Sequence, residues 1–272
     1  MVVVLAVVVF PAVLAAQSQQ PSKVGTSPLT KEGRPDLQGY WNRNRETGAA
    51  AYDIEEGSPA EESVINGTQA RPHPHVIVNA PIPYQPWALA QREQNKKNSL
   101  NPTRLEHIDS MSRCLQMGMP RLGLSGGFHI LQTPGSVVIV YADGSSRTIA
   151  LDGRPHIASN IKLWAGDSLG QWMGDTLVVD VTNINEHAYY DWAGNFHSDR
   201  LRLTERWTMK DANTISYEVT SEDPHVFTRP WTMIFGYNRS KEADPEQLES
   251  SCYENEHDVD VMLHQEKAPE AK

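Results

Sequence analysis

The chain has 272 residues, enough for one large domain or two small ones at roughly 100–200 residues each. Its 34 acidic residues against 24 basic ones, a formal net charge of −10, argue against non-specific nucleic-acid binding and against a polybasic membrane anchor. With 39% hydrophobic and 21% charged residues, it reads as a folded chain, neither a membrane bundle nor a typical disordered polymer.

The first segment carries no charge. Val2 to Leu14 is an almost unbroken apolar run, Val13-Leu14-Ala15 fits a small-residue cleavage site, and Gln17 onward turns polar. About 15 apolar residues fall short of the roughly 20 that span a bilayer. The pattern predicts a signal peptide over 1–16 and a secreted or periplasmic mature chain with no membrane span. Export sets the reading of the 2 cysteines: Cys114 and Cys252 are expected to pair. A bridge across so long a loop contributes about 4–5 kcal/mol in the chain-entropy model.

Residues 17–35 read as a linker, 36–254 as a single β-barrel domain, and 255–272 as a disordered acidic tail. Asp36 to Asn42 predicts a first strand. Residues 43–127 are expected to wrap over the body as an irregular acidic and Pro-rich segment holding one short helix, Trp87 to Ser99. Pro86 precedes that helix, and Trp87, Leu89 and Ala90 are expected to face the core. From Phe128 the periodicity is two. Ser136–Ala142 and Ser146–Leu151 flank Asp143-Gly144, Gly170–Met173 and Thr176–Thr182 flank Gly174-Asp175, and Leu201–Thr208 and Thr214–Thr220 flank residues 210–213. Trp231 to Tyr237 is the last predicted strand. Hairpins in series predict a mainly β fold, an antiparallel meander closing into a barrel, with a β-sandwich as the alternative. Gly39-Tyr40-Trp41 is similar to the Gly-x-Trp of lipocalins, which makes the expected barrel lipocalin-like. Alternation places Glu205 on the same face as Leu203 and Trp207. An inward acid in a barrel is either paired structurally or part of a site.

The stretch from Gly166 to Asp180, Gly-Asp-Ser-Leu-Gly-Gln-Trp-Met-Gly-Asp-Thr-Leu-Val-Val-Asp, carries a wider resemblance. So do Pro83–Trp87, Cys114 with Pro120-Arg121, Leu151–His156, His197-Ser198, Glu205-Arg206, Asp223-Pro224 and Thr228–Trp231. Together they resemble a large family of secreted bacterial proteins with a GDSxGxWxGDTLVVD signature, over about Pro35 to Glu254. The family has no settled activity, so the resemblance implies export and a β-rich fold. Met173 stands where that family usually has Glu.

Two stretches match G-x-S-x-G, around Ser125 and Ser168. Neither has the strand before and helix after that a nucleophile elbow requires. The histidines carry more chemistry. His187 and His197 bracket a loop holding Tyr189, Tyr190, Asp191 and Trp192. His156 follows Arg154, His225 precedes Arg229, and Trp164 lies in another loop. If the meander is regular, the turns at 143, 174 and 211 share one end. The loops at 152–168, 183–199 and 221–230 then share the other. That places His156, His187, His197 and His225 at one barrel mouth, a common kind of ligand site. His73, His75, His257 and His264 read as solvated.

The expected activity is general acid–base chemistry of a lyase, isomerase or hydrolase kind, on a small, partly apolar molecule. His187, His197 and His156 act, Asp191 orients a base, and Arg154 and Arg229 hold an anion. Tyr189, Tyr190, Trp192, Trp164, His225 and Glu205 complete the substrate site. The alternatives are a lipocalin-like carrier and a structural envelope module. The sequence carries no nucleotide-cofactor motif and neither H-E-x-x-H nor H-x-H on a predicted strand. A divalent metal stays open, and none is expected as a cofactor.

Overall fold

The computed structural model describes residues 28–44, 53–55, 77–78, 80–124 and 127–242, together with Pro245, Cys252, Val259 and Leu263. The predicted signal segment, most of the linker and nearly all of the tail lie outside these residues.

Ten strands form one sheet. They are β1 (Gly39–Asn44), β2 (Ile77–Val78), β3 (Phe128–Gln132), β4 (Ser136–Tyr141), β5 (Ser146–Ala150), β6 (Asp167–Met173), β7 (Thr176–Thr182), β8 (Arg202–Asp211), β9 (Thr214–Glu222) and β10 (Trp231–Arg239). β1 pairs with both β3 and β10, which closes a barrel, and the short β2 adds to β10. The barrel expected from the hairpin series is therefore present. α1 (Pro86–Leu100) and α2 (Arg121–Leu124) belong to the segment that precedes β3.

One pairing departs from a meander. β5 and β6 are parallel, joined by a crossover over residues 151–166, and every other strand pair is antiparallel. A parallel step carries the chain back from one end of the barrel to the other. It changes which loops are neighbours. The turn at 142–145 lies at the same end as the loops after β7 and after β9, apart from the turns at 174 and 212. The expected grouping of turns is corrected at that point.

Inward residues alternate as the sequence dictates: Leu203, Glu205, Trp207 and Met209 on β8 are all fully buried, while Arg202 and Thr204 are exposed. The interior holds a dense aromatic layer, with Phe128 4.7 Å from Tyr237 and Trp207 4.5 Å from Tyr217. α2 packs onto that layer. Leu122 and Leu124 are fully buried, and the Tyr237 hydroxyl donates to the Gly123 carbonyl at 2.6 Å. Among the described residues the barrel interior is thus filled by its own side chains.

α1 turns a different face inward from the one expected. Ala88, Arg92 and Asn95 are buried, at helical spacing, whereas Trp87 and Leu89 are about half exposed. The polar side chains win that face because they have buried partners. Arg92 bonds Asp53 at 2.6 Å, and Asn95 donates to the Gly194 carbonyl at 3.2 Å.

The expected cystine is present: Cys114 and Cys252 are bonded, with Cα atoms 5.4 Å apart and 138 residues between them in sequence. It ties the C-terminal segment to the turn ahead of α2.

Candidate functional site

The barrel wall is weakest between β5 and β6. Only Ile149↔Ser168 and Ala150↔Leu169 pair across it. The bonds from Tyr141 N–H to the Ser145 carbonyl and from Leu151 N–H to the Gly135 carbonyl fix the alternation on β5. Odd-numbered residues bond β4, so the N–H groups of Ser146 and Thr148 point the other way, to where β6 has not begun. Gly166 explains the late start. It sits at φ +67°, and a Cβ there would lie 2.6 Å from the Thr182 carbonyl oxygen. The chain turns at Gly166 and enters the ladder only at Asp167.

A groove opens on each side of this two-pair ladder. The lower one, about 550 Å³, is lined among others by Ser146, Thr148, Lys162, Trp164, Asn185 and His187. The upper one, about 1090 Å³, lies between the arm at 29–38 and the outer face of β6 and β7.

The lower groove combines an apolar surface with several donors. The Trp164 ring lies 6.1 Å from that of His187. The His187 backbone N–H donates to the Asn185 side-chain oxygen at 3.0 Å, which sets the loop carrying the imidazole. Lys162 Nζ donates to the Asp199 carbonyl at 2.6 Å and lies 3.4 Å from the Asp199 carboxylate. Leu163 N–H donates to the Asn183 carbonyl at 2.8 Å and Asn185 N–H to the Leu163 carbonyl at 2.9 Å, which holds the far wall against the end of β7.

Arg147 also lines this groove, and its side chain points inward. Its Nη1 donates to both Glu205 carboxylate oxygens at 2.9 and 3.0 Å, and its Nε to the Ser168 hydroxyl at 2.8 Å. Trp207 Nε1 donates to the same carboxylate at 3.1 Å. Burial alone pushes the Arg147 guanidinium down, but the facing carboxylate outweighs it and holds the group charged. Burial pushes the neighbouring Tyr141 phenol up to about 12. Glu205 is therefore paired structurally, and it is sealed from solvent.

The four loop histidines do not gather. His156 lies on the outer face of the barrel. Its Nδ1 is 2.8 Å from Asp167 and its Nε2 3.2 Å from Asp180. Arg154 joins the same cluster, 2.5 Å from Asp167, which it holds down at about 2 against the effect of burial. Arg202 binds Asp180 at 2.8 Å. His197 is buried against the Tyr190 ring, 5.4 Å away, with its Nδ1 on the Ser198 carbonyl at 3.0 Å. Burial pushes its imidazole down, which disfavours the charged form. Its Nε2 has no hydrogen-bond partner among the described residues. His225 is exposed and lies 5.0 Å from the Trp87 ring. Of the four, only His187 lines either groove.

The remaining predicted residues also disperse. Asp191 orients no histidine. Its carboxylate accepts from the backbone N–H of Ile54 at 2.8 Å and from Asn195 Nδ2 at 2.6 Å. Burial pushes this acid up to about 7, and the nearby Asp53 adds to the effect. Asp53, Arg92, Asn195 and the Tyr84 hydroxyl complete a buried network that pins 53–55 to α1. Arg229 is exposed and bonds the Pro230 carbonyl, so it holds no buried acid. Tyr190 is fully buried against Trp231 and Phe227. Tyr189 is half-buried and bridges to Phe196. Trp192 lies under the Arg121 guanidinium at 4.9 Å, with Asp109 on that guanidinium. Ser168 is a buried acceptor for Arg147, which leaves no elbow geometry, and Ser125 lies outside the described residues.

Residues that reading the sequence passed over include Lys162, Gln116, Asn185 and Arg147 around the lower groove. Arg147 had a signal. It alternates onto the face of Ile149, which makes it an inward base matching the inward acid Glu205. Arg92 and Asn95 had none, because their partners come from segments far away in sequence.

Comparisons of the chain with family models, with curated proteins and with solved structures find no match. Among the described residues, no group of three or more His, Cys, Asp and Glu side chains is placed to hold a metal ion, and no helix is long and apolar enough to cross a membrane.

Proposed function

We propose that the protein binds a small, partly apolar organic molecule in the lower groove at the β5–β6 seam. One observation carries this reading. The groove is the place where an indole, an imidazole, side-chain amides and strand N–H groups without a ladder partner face one concavity. Binding sites combine an apolar wall with a few such convergent polar groups, and about 550 Å³ suits a drug-sized ligand. Trp164 offers a ring face. Lys162 and His187 offer donors to an anionic or phenolic group.

A carrier fits better than the acid–base enzyme expected from the loops. His156 and His197 have their ring nitrogens engaged or sealed elsewhere, which leaves His187 as the one imidazole at the groove. The intramolecular cystine is compatible with an oxidising compartment, and a secreted or periplasmic location belongs to this same proposal.

The test is incubation of the disulfide-intact chain with a pooled panel of phenols, aromatic acids and terpenoids. Mass spectrometry then follows the free and the retained compounds. The expected result is a compound retained with unchanged mass, and lost from Trp164→Ala and Lys162→Met. A compound converted to a new product, with conversion abolished in His187→Ala, would replace the carrier by an enzyme acting at the same groove. Retention unaffected by all three substitutions would overturn the site.

A further inference from the structure

The upper groove is independent of the lower one and is built differently. It begins where β5 ends. The chain leaves the sheet at Leu151, so the second half of β6 has no strand on that side, and the arm at 29–38 stands over the gap. The arm is fixed. The Gln132 side chain accepts from Leu37 N–H at 2.9 Å and donates to the Pro35 carbonyl at 3.2 Å. Arg239 donates to the carbonyls of Gln38 and Asp36. This wall is therefore held by side chains of β3 and β10.

The lining is mixed in a particular way. Leu169 and Val178 supply apolar surface on the outward face that carries Gln171, whereas Trp172 alternates inward opposite Leu177 and packs against the core. Gln171 and Gln38 supply exposed amides, that of Gln38 also donating to Asp36 at 3.2 Å. An amide offers donor and acceptor together, as a sugar hydroxyl does. Charges nearly cancel: Lys31, Arg34 and Arg154 stand with four acids, Asp36 and Asp180 among them. Arg154 and Asp180 are already committed to the cluster around His156. A site without a net field does not concentrate a charged ligand. At about 1090 Å³ the space exceeds what one small molecule fills.

We infer that the upper groove is a second binding site, for a neutral oligosaccharide that lays its apolar sugar faces on Leu169 and Val178 and sets hydroxyls on Gln38 and Gln171. It stands apart from the lower groove and does not rest on the reading of that site.

The experiment is calorimetric titration of the disulfide-intact chain with neutral tetrasaccharides of glucose, xylose and N-acetylglucosamine, beside uronate oligomers of similar length. At least one neutral tetrasaccharide is expected to bind. Gln171→Ala and Gln38→Ala should each weaken it about tenfold, the loss of one well-made hydrogen bond. Both side chains are exposed, so the melting temperature should not move. Trp164→Ala, in the other groove, should leave this binding unchanged. Absence of binding by every neutral oligomer, binding confined to the uronates, or binding that survives both glutamine substitutions would each overturn the inference.

Discussion

The wall from β7 to β10 and the seam between β5 and β6 belong to one closed sheet, yet they are built as opposites. β8 and β9 pair from Arg202↔Glu222 to Asp211↔Thr214. β5 and β6 pair through two residues each. Long registry turns every second side chain into the interior, and that interior is packed with aromatics around one ion pair. Short registry leaves strand N–H groups and loop side chains facing grooves. The continuous wall therefore carries much of the packed core, and the interrupted one is where the proposed ligand site lies. The contrast also explains why the interior acid, Glu205, is structural although acids inside barrels invite a functional reading.

The contrast can be broken from the stable side first. Cys114→Ser with Cys252→Ser should cost about 4–5 kcal/mol in the chain-entropy picture for so long a loop. Urea unfolding of the oxidised and substituted chains measures it. Glu205→Ala strands the Arg147 cation inside the barrel and should cost about 3–5 kcal/mol. The pair Arg147→Met with Glu205→Leu should recover most of that loss, which separates an unpaired charge from a merely lost contact. At the seam, Gly166→Ala should cost about 1–3 kcal/mol, because it forces a side chain into the left-handed region. Its backbone space is closed by the Thr182 carbonyl. The same change should weaken a ligand in the lower groove.

A smaller effect depends on pH. The folded Asp191 acid is pushed from 3.8 up to about 7, so between those values the folded state holds a proton that the unfolded state has released. Its contribution is fully present below about pH 4 and is lost as pH rises toward 7. Asp167, held near 2, acts in the opposite sense, and its contribution is lost only as pH falls below 3.8. Unfolding midpoints from pH 5 to 8 should therefore decline less in Asp191→Asn than in the parent chain. An identical decline in both would remove Asp191 as the source. The smallest change is expected for Arg202→Ala. That side chain is 56% exposed, and its ion pair with Asp180 should be worth under about 1 kcal/mol.

Much of the fold was legible in the sequence because alternation and turn residues are local signals. Asp143-Gly144 and Gly174-Asp175 each sit between the strands they predict, and Glu205 faces inward as its neighbours require. The cystine followed from counting cysteines. The parallel step was not legible. Nothing in residues 151–166 announces a crossover, since the segment holds no helix and reads as an ordinary hairpin loop. The loops after β7 and β9 do share one end, but His197 is buried against Tyr190, His225 lies beside Trp87 and His156 bonds Asp167 and Asp180 on the outer face, and none of these partners carries a local signal. The α1 face was misread for a related reason. An amphipathic rule ranks Trp87 above Arg92, and only the distant Asp53 and Asn195 make burial of the arginine favourable.

Amide hydrogen exchange at β5 addresses the open seam most directly, read with and without whichever compound the panel shows to be retained. In the free protein, the amides of Ser146 and Thr148 should exchange quickly, while those of Val219 and Leu203 in the continuous wall stay protected. With the compound bound, Ser146 and Thr148 should slow, together with residues 162–166, and the wall should not change. Slow exchange at Ser146 and Thr148 in the free protein, or protection that appears elsewhere on binding, would contradict the open seam as the ligand site.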